Sequence, residues 1–186
     1  MIVRETALPG VMILEPPRFG DARGFFSESW NRRRMAEAGF DIDFVQDNHS
    51  LSSETGTLRG LHYQAPPHAQ AKLVRCGRGS LCDVAVDVRQ GSPTYGQWVG
   101  VDLSFENGVQ LFIPEGFLHG FVTREPMTEV IYKCSDYYAP DADGSVRWDS
   151  VGIDWGLSKT RPILSEKDAA AVRFEEFASP FVWEAP

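Results

Sequence analysis

The chain has 186 residues, a net charge of −8 and a pI near 5.0. That acidic balance excludes the basic footprint of a nucleic-acid or anionic-membrane surface, while leaving room for a few local arginines on one phosphate-bearing ligand. With 42% hydrophobic and 24% charged residues, the composition is that of a globular protein, and residues 1–186 are expected to form one domain around one core.

The N-terminal MIVRETALPGVMILEPP carries only a short apolar stretch without a basic start. No run approaches the ~18 apolar residues of a membrane span, so the expected address is the cytoplasm, with no membrane or nucleic-acid partner. A helix is predicted over Arg32–Ala38, capped by Asn31 and ended by Gly39. Beyond it the pattern turns to strands. LCDVAVDV (Leu81 to Val88) alternates, setting Cys82, Val84, Val86 and Val88 on one face and Asp83 and Asp87 on the other. WVGVDL, VQLFIP, GFVT and TEVIYKCSDYY follow, separated by turns such as Gly91-Ser92-Pro93 and Glu106-Asn107-Gly108. Many short strands at such spacing predict a mainly β fold, taken here as a closed jelly roll with a few short helices. One of those is predicted at Ser165–Ala171, opened by a serine cap. Cys76, Cys82 and Cys134 are odd in number and lack zinc-type spacing, so they are expected to be buried, reduced thiols.

Polar residues concentrate in Phe44–Ser50, in Gly56–Gln64, at Gln70-Ala71-Lys72 and in Ile113–Phe121. Gly108, Pro114, Gly116 and His119 have a spacing that resembles the second motif of the cupin barrels. Of the first motif, Gly56 and His62 are present, but Gln64 holds the position of a second histidine, and Lys72 stands where metal-binding members carry a glutamate. A protonated lysine has three donors and no lone pair, and two histidines make a poor zinc or iron site. Neither a metal nor another cofactor is therefore expected. Lys72 instead suits electrostatic stabilisation of an oxyanion.

DARGFFSESW, FVQDNHS, LRGLHYQ, QAKLVRC, IPEGFLHGF, YKCSDYY and ILSEKDA carry a resemblance wider than the cupin motif alone. Together they make the chain similar to the dTDP-4-dehydrorhamnose 3,5-epimerase family, from about Phe19 to Asp168. The resemblance implies a cupin-type barrel that removes and returns a proton on each carbon beside the 4-keto group of a dTDP-linked 6-deoxy sugar. It implies His62 as base, Asp168 on the other ring nitrogen, Lys72 at the enolate oxygen and Tyr132 as acid on the opposite face. It also implies that Arg23, Phe26, Glu28, Gln46, Asn48 and Arg59 bind the nucleotide or diphosphate, and that His119 and Tyr138 shape the sugar pocket. The early segment with Arg23, Phe26 and Glu28 is expected to serve a partner's site in a homodimer.

Each residue also has a structural reading. Asp168 lies three residues after Ser165 and can complete a helix capping box, a role compatible with orienting His62. Tyr132 can be a core aromatic, Lys72 a solvated strand residue, Arg23 and Arg59 surface ion-pair residues, and His119 a packing residue. Three other functions compete: a single-carbon epimerase, a metal-dependent cupin and a non-catalytic sugar-nucleotide binder.

Overall fold

A computed structural model describes residues 1–157 and 161–185. Four short strands, β1 (Ile2–Glu5), β2 (Met12–Glu15), β3 (Arg18–Asp21) and β4 (Gly24–Ser27), precede helix α1 (Arg32–Glu37). Then come β5 (Gln46–Ser52), β6 (Leu58–Gln64), β7 (Lys72–Arg78), β8 (Ser80–Asp87), β9 (Trp98–Ser104), β10 (Gln110–Ile113), β11 (Phe117–Thr123) and β12 (Thr128–Cys134). Strand β13 (Asp143–Ser145) and helix α2 (Glu166–Ala169) close the series.

One antiparallel sheet has the order β1-β2-β10-β7-β12-β5 and the other the order β13-β6-β11-β8-β9, with β3 and β4 paired as a separate hairpin. Sequence neighbours are interleaved between the two sheets, the arrangement of a cupin-type jelly roll. The expected helices form where their caps were read. The Asn31 side chain accepts from Arg34 N–H, Ser165 accepts from Asp168 N–H, and Gly39 follows α1 in a left-handed conformation.

Among the described residues the buried apolar side chains form three clusters rather than the single core expected. The first fills the space between the sheets with Val74, Cys76, Leu81, Ala85, Leu103, Leu111 and Phe121. A second lies on the other side of β8, where Cys82, Val84, Val86 and Val88 meet Trp155 and Phe181 from the C-terminal segment. In the third, Met35 of α1 packs on Leu73 and Phe112. Strand β8 is thus buried on both faces, and Asp83 and Asp87 point into the protein rather than to solvent. The outer face of the five-stranded sheet is covered by Trp148, Trp155 and Leu164 together with Phe174, Phe177 and Phe181 of the tail after Ala170, which carries no motif in sequence. All three cysteines are free and buried.

A local irregularity sets the direction of β6. His119 pairs with His62 and Phe121 with Arg59, so Gly60 and Leu61 together oppose the single residue Gly120. This is a β-bulge, and it resets the alternation of the strand. Leu58 and Leu61 therefore both join the outer cluster, and His62 turns to the inside. Glycine is required on both sides: a Cβ at position 60 would stand 2.6 Å from Gly120 Cα.

Candidate active site

A cavity of about 300 Å³ opens between the sheets. The six-stranded sheet contributes Gln46, Asn48, Lys72 and Tyr132, and the opposite wall contributes His62, Tyr63, Gln64 and Asp143. Gln70 and Tyr138 close it from loops.

His62 Nε2 lies 2.6 Å from Asp168 Oδ1, and Asp168 is buried. The other carboxylate oxygen accepts from the Ser165 hydroxyl at 2.9 Å, while Ser165 Oγ accepts from Asp168 N–H at 3.1 Å. One residue therefore makes both the capping contact and the contact to His62. Burial alone would raise the Asp168 carboxyl. The hydrogen bond and charge of His62, with the Ser165 and Gly60 hydrogen bonds, outweigh it and hold the group below its ordinary value. A carboxylate held ionised on Nε2 keeps a proton there and leaves Nδ1 as the basic nitrogen.

Lys72 and Tyr132 share the facing wall, with Lys72 Nζ 5.9 Å from the Tyr132 ring centroid. Burial pushes the Tyr132 phenol up, Cys134 and Asp143 add to this, and Arg59 opposes it. Burial also pushes the Lys72 ammonium down. A protonated phenol and a cation thus face His62 across a partly dry space. His119 lies deeper, 7% exposed, with Nε2 2.7 Å from Asp83 Oδ1.

The side chain of Gln64 is committed to the backbone: it donates to Tyr137 O and His68 O and accepts from Ala139 N–H. It pins the loop that presents Tyr138. Lys72 offers no lone pair when protonated, and the two histidines are bonded to different carboxylates. These donors do not fit a divalent metal, and among the described residues no group of three His, Cys, Asp or Glu gathers as one.

Gln46 and Asn48 are hydrogen-bonded to each other at 3.1 Å, and Gln46 accepts from Tyr138 N–H at 2.9 Å. Arg59 donates to Ser52 Oγ and Leu51 O and is not among the residues that line the cavity. Arg23, Phe26 and Glu28 are not brought to this cavity. Arg23 pairs with Asp21 on the β3–β4 hairpin, Phe26 is 68% exposed, and Glu28 pairs with Arg34. Sequence reasoning did not single out Tyr63 or Asp143 as cavity residues, nor Asp83 behind it. The local pattern carried no signal for Asp83, because β8 reads as an alternating strand with Asp83 and Asp87 on one polar face.

A family profile described as dTDP-4-dehydrorhamnose 3,5-epimerase matches residues 5–176. The chain belongs to that family. It is 56% identical over 174 residues to the dTDP-4-dehydrorhamnose 3,5-epimerase of Salmonella typhimurium, covering 92% of this chain and 94% of the relative. Among solved structures it is similar to dTDP-6-deoxy-D-glucose-3,5-epimerase RmlC of Legionella pneumophila Philadelphia 1 in complex with dTDP-4-keto-L-rhamnose. That match has 44% identity, a TM-score of 0.94 and 99% coverage of both chains. It is also similar to ChmJ, a 3'-monoepimerase from Streptomyces bikiniensis in complex with dTDP-quinovose, at 34% identity and a TM-score of 0.85. There 90% of this chain and 85% of the other are covered.

Proposed function

We propose that this chain inverts carbons 3 and 5 of dTDP-4-dehydro-6-deoxy-D-glucose to give dTDP-4-dehydro-L-rhamnose, with His62 as base and Tyr132 as acid. The observation that carries the reading is the placement of His62, paired with Asp168 of α2, on one sheet and Tyr132 on the other, across one cavity. Inversion needs a proton removed from one face of the ring and supplied to the other, and two opposed walls provide both.

His62 Nδ1 takes the proton from the carbon beside the keto group, and the bonding pair moves into an enolate whose charge rests on the keto oxygen. The Lys72 ammonium lies against that oxygen and stabilises the charge as it develops. Tyr132 then gives its phenolic proton to the same carbon from the opposite face. Its raised pKa keeps it protonated at neutral pH and ready to donate. Asp168 stabilises the imidazolium that forms on His62.

Gln46, Asn48 and Tyr138 line the cavity and suit the nucleotide, and Arg59, on the same strand as His62, offers a fork of donors to phosphate oxygens. His119 shapes the inner sugar pocket. Arg23, Phe26 and Glu28 complete the site of a second copy in a homodimer. This is supported by their absence from the lining of the chain's own cavity and by the exposure of Phe19, Phe25 and Phe26 on the β3–β4 hairpin. Among the described residues no helix is long and apolar enough to cross a membrane. A cytoplasmic address suits a soluble sugar-nucleotide substrate.

The test is incubation with the keto sugar nucleotide in heavy water, read by NMR at both flanking carbons. Deuterium at carbons 3 and 5, absent with His62→Ala, is the expected result. Deuterium at one carbon would transfer the assignment to a single-carbon epimerase.

A further inference from the structure

One buried carboxylate takes no part in the reaction as described. Asp83 on β8 is completely enclosed, and its Oδ1 lies 2.7 Å from His119 Nε2. Its second oxygen is buried without a hydrogen-bond partner among the described residues. Four residues along the same strand, Asp87 shows how this fold satisfies an acid held only for structure: Arg89 grips both its oxygens, and Ser92 and Thr94 donate to one of them. Asp83 has no such cage. An ionised carboxylate in a dry interior is costly unless a nearby cation balances it.

We propose that Asp83 is a positioning residue, which holds the His119 ring through Nε2 and supplies the buried negative charge that balances Lys72 at the substrate's keto oxygen. The inference rests on the role of Lys72 given above. The titratable groups whose charges reach Lys72 come from several elements, Cys134 on β12, Asp83 on β8, Asp143 on β13, His119 on β11 and Lys167 on α2, and the Tyr132 ring of β12 lies 5.9 Å from its Nζ. Burial lowers the ammonium, Cys134, Asp83 and Asp143 oppose that, and Lys167 adds to it. Burial also pushes the Cys134 thiol up, so at neutral pH it carries no charge to help. Asp143 is already paired with Lys167. Asp83 is left as the principal balancing charge.

The same carboxylate selects a tautomer. Burial pushes His119 below its ordinary value, Asp83 opposes this, and Lys72 and His62 reinforce it. A neutral ring that donates Nε2–H to Asp83 carries its lone pair on Nδ1. That nitrogen can accept a hydrogen bond but cannot give one.

The experiment compares wild type with Asp83→Asn by steady-state kinetics across pH, and reads the wild-type His119 ring by 15N NMR. In the variant kcat is expected to fall about tenfold to a hundredfold, less than removal of an oxyanion donor outright, with KM within about threefold. The alkaline limb should move to lower pH by about one unit, the scale of one lost neighbouring charge. The His119 spectrum should show a protonated Nε2 and a bare Nδ1 from pH 6 to 9. An unmoved alkaline limb, even with lower kcat and melting temperature, would reduce Asp83 to a structural residue, and a protonated Nδ1 would overturn the tautomer assignment. The NMR readout needs no turnover, and wild-type deuterium exchange run alongside reports separately on the epimerase reading.

Discussion

Asp168 Oδ1 meets His62 Nε2 at 2.6 Å although 106 residues separate them, because the serine-capped turn of α2 packs against the bulged end of β6. Asp168→Asn keeps the shape but loses the charge that fixes the tautomer and stabilises the imidazolium. Its kcat should drop by about 10²–10⁴-fold, the range of an acid–base contribution, with KM nearly unchanged. Ser165→Ala should cost about 1 kcal/mol of stability as a lost cap, with a much smaller kinetic effect. Equal kinetic losses in the two variants would contradict the division of roles.

Tyr132→Phe separates the two halves of the reaction. His62 remains able to remove a proton and return one to the same face. Deuterium should therefore enter the substrate carbons from heavy water while the inverted product falls by about 10²-fold or more, as seen by NMR and product chromatography. If exchange and inversion vanish together, Tyr132 is needed for proton removal itself.

Two inactive variants should rescue each other if the hairpin serves a neighbouring copy. A chain with Arg23→Ala keeps its own His62, and a chain with His62→Ala can lend it Arg23. After mixing and subunit exchange, half the dimers are mixed and each has one complete site, so about a quarter of wild-type activity should return. No recovery, with mixed dimers shown by native mass spectrometry, would place Arg23 in its own chain's site.

Gly120→Ala tests the close approach of β6 and β11. The added Cβ would lie 2.9 Å from Arg59 O and 3.1 Å from Gly60 Cα, both backbone atoms that cannot swing away. A cost of about 1–3 kcal/mol is expected, or a melting-temperature loss of several degrees at this chain length. A melting temperature equal to wild type would show that the two strands can part without penalty.

His119 makes stability depend on pH near neutrality. Its folded pKa lies below the unfolded value of ~6.5, so as pH falls through that value the unfolded chain gains a proton the folded one refuses. Stability is thus full above about pH 6.5 and declines below it. Asp168 and Asp87, also lowered, protect the fold until pH drops past the carboxylate range. Melting curves from pH 8 to 5 should slope down at the acid end, and His119→Asn should flatten that slope. An unchanged slope would assign the effect to another group.

The caps of both helices, the jelly-roll class and the strand segments could be read locally, since Asn31, Ser165 and the alternating runs act within a few residues. Motif resemblance pointed to His62, Lys72 and Tyr132, and the fold brings them to one cavity. What was not legible depends on contacts made far along the chain. The alternation of β8 gave no hint that both its faces are covered, because the cover comes from Trp155 and Phe181, which lie far along the chain in stretches that carry no strand pattern. Asp83 looked like the polar side of a half-exposed strand, and only the packed barrel reveals it as enclosed.

The bulge at Gly60-Leu61 also bears on how this gene can vary. Loss of the extra residue at Gly60 would leave a regular strand in which His62 still opposes His119, whereas an added codon between Leu58 and Gly60 would reverse the parity of everything downstream. With such an insertion His62 would face the outer cluster and Leu61 the cavity. The stretch from Leu58 to His62 should therefore admit no insertion, whereas the neighbouring loops remain free to change length.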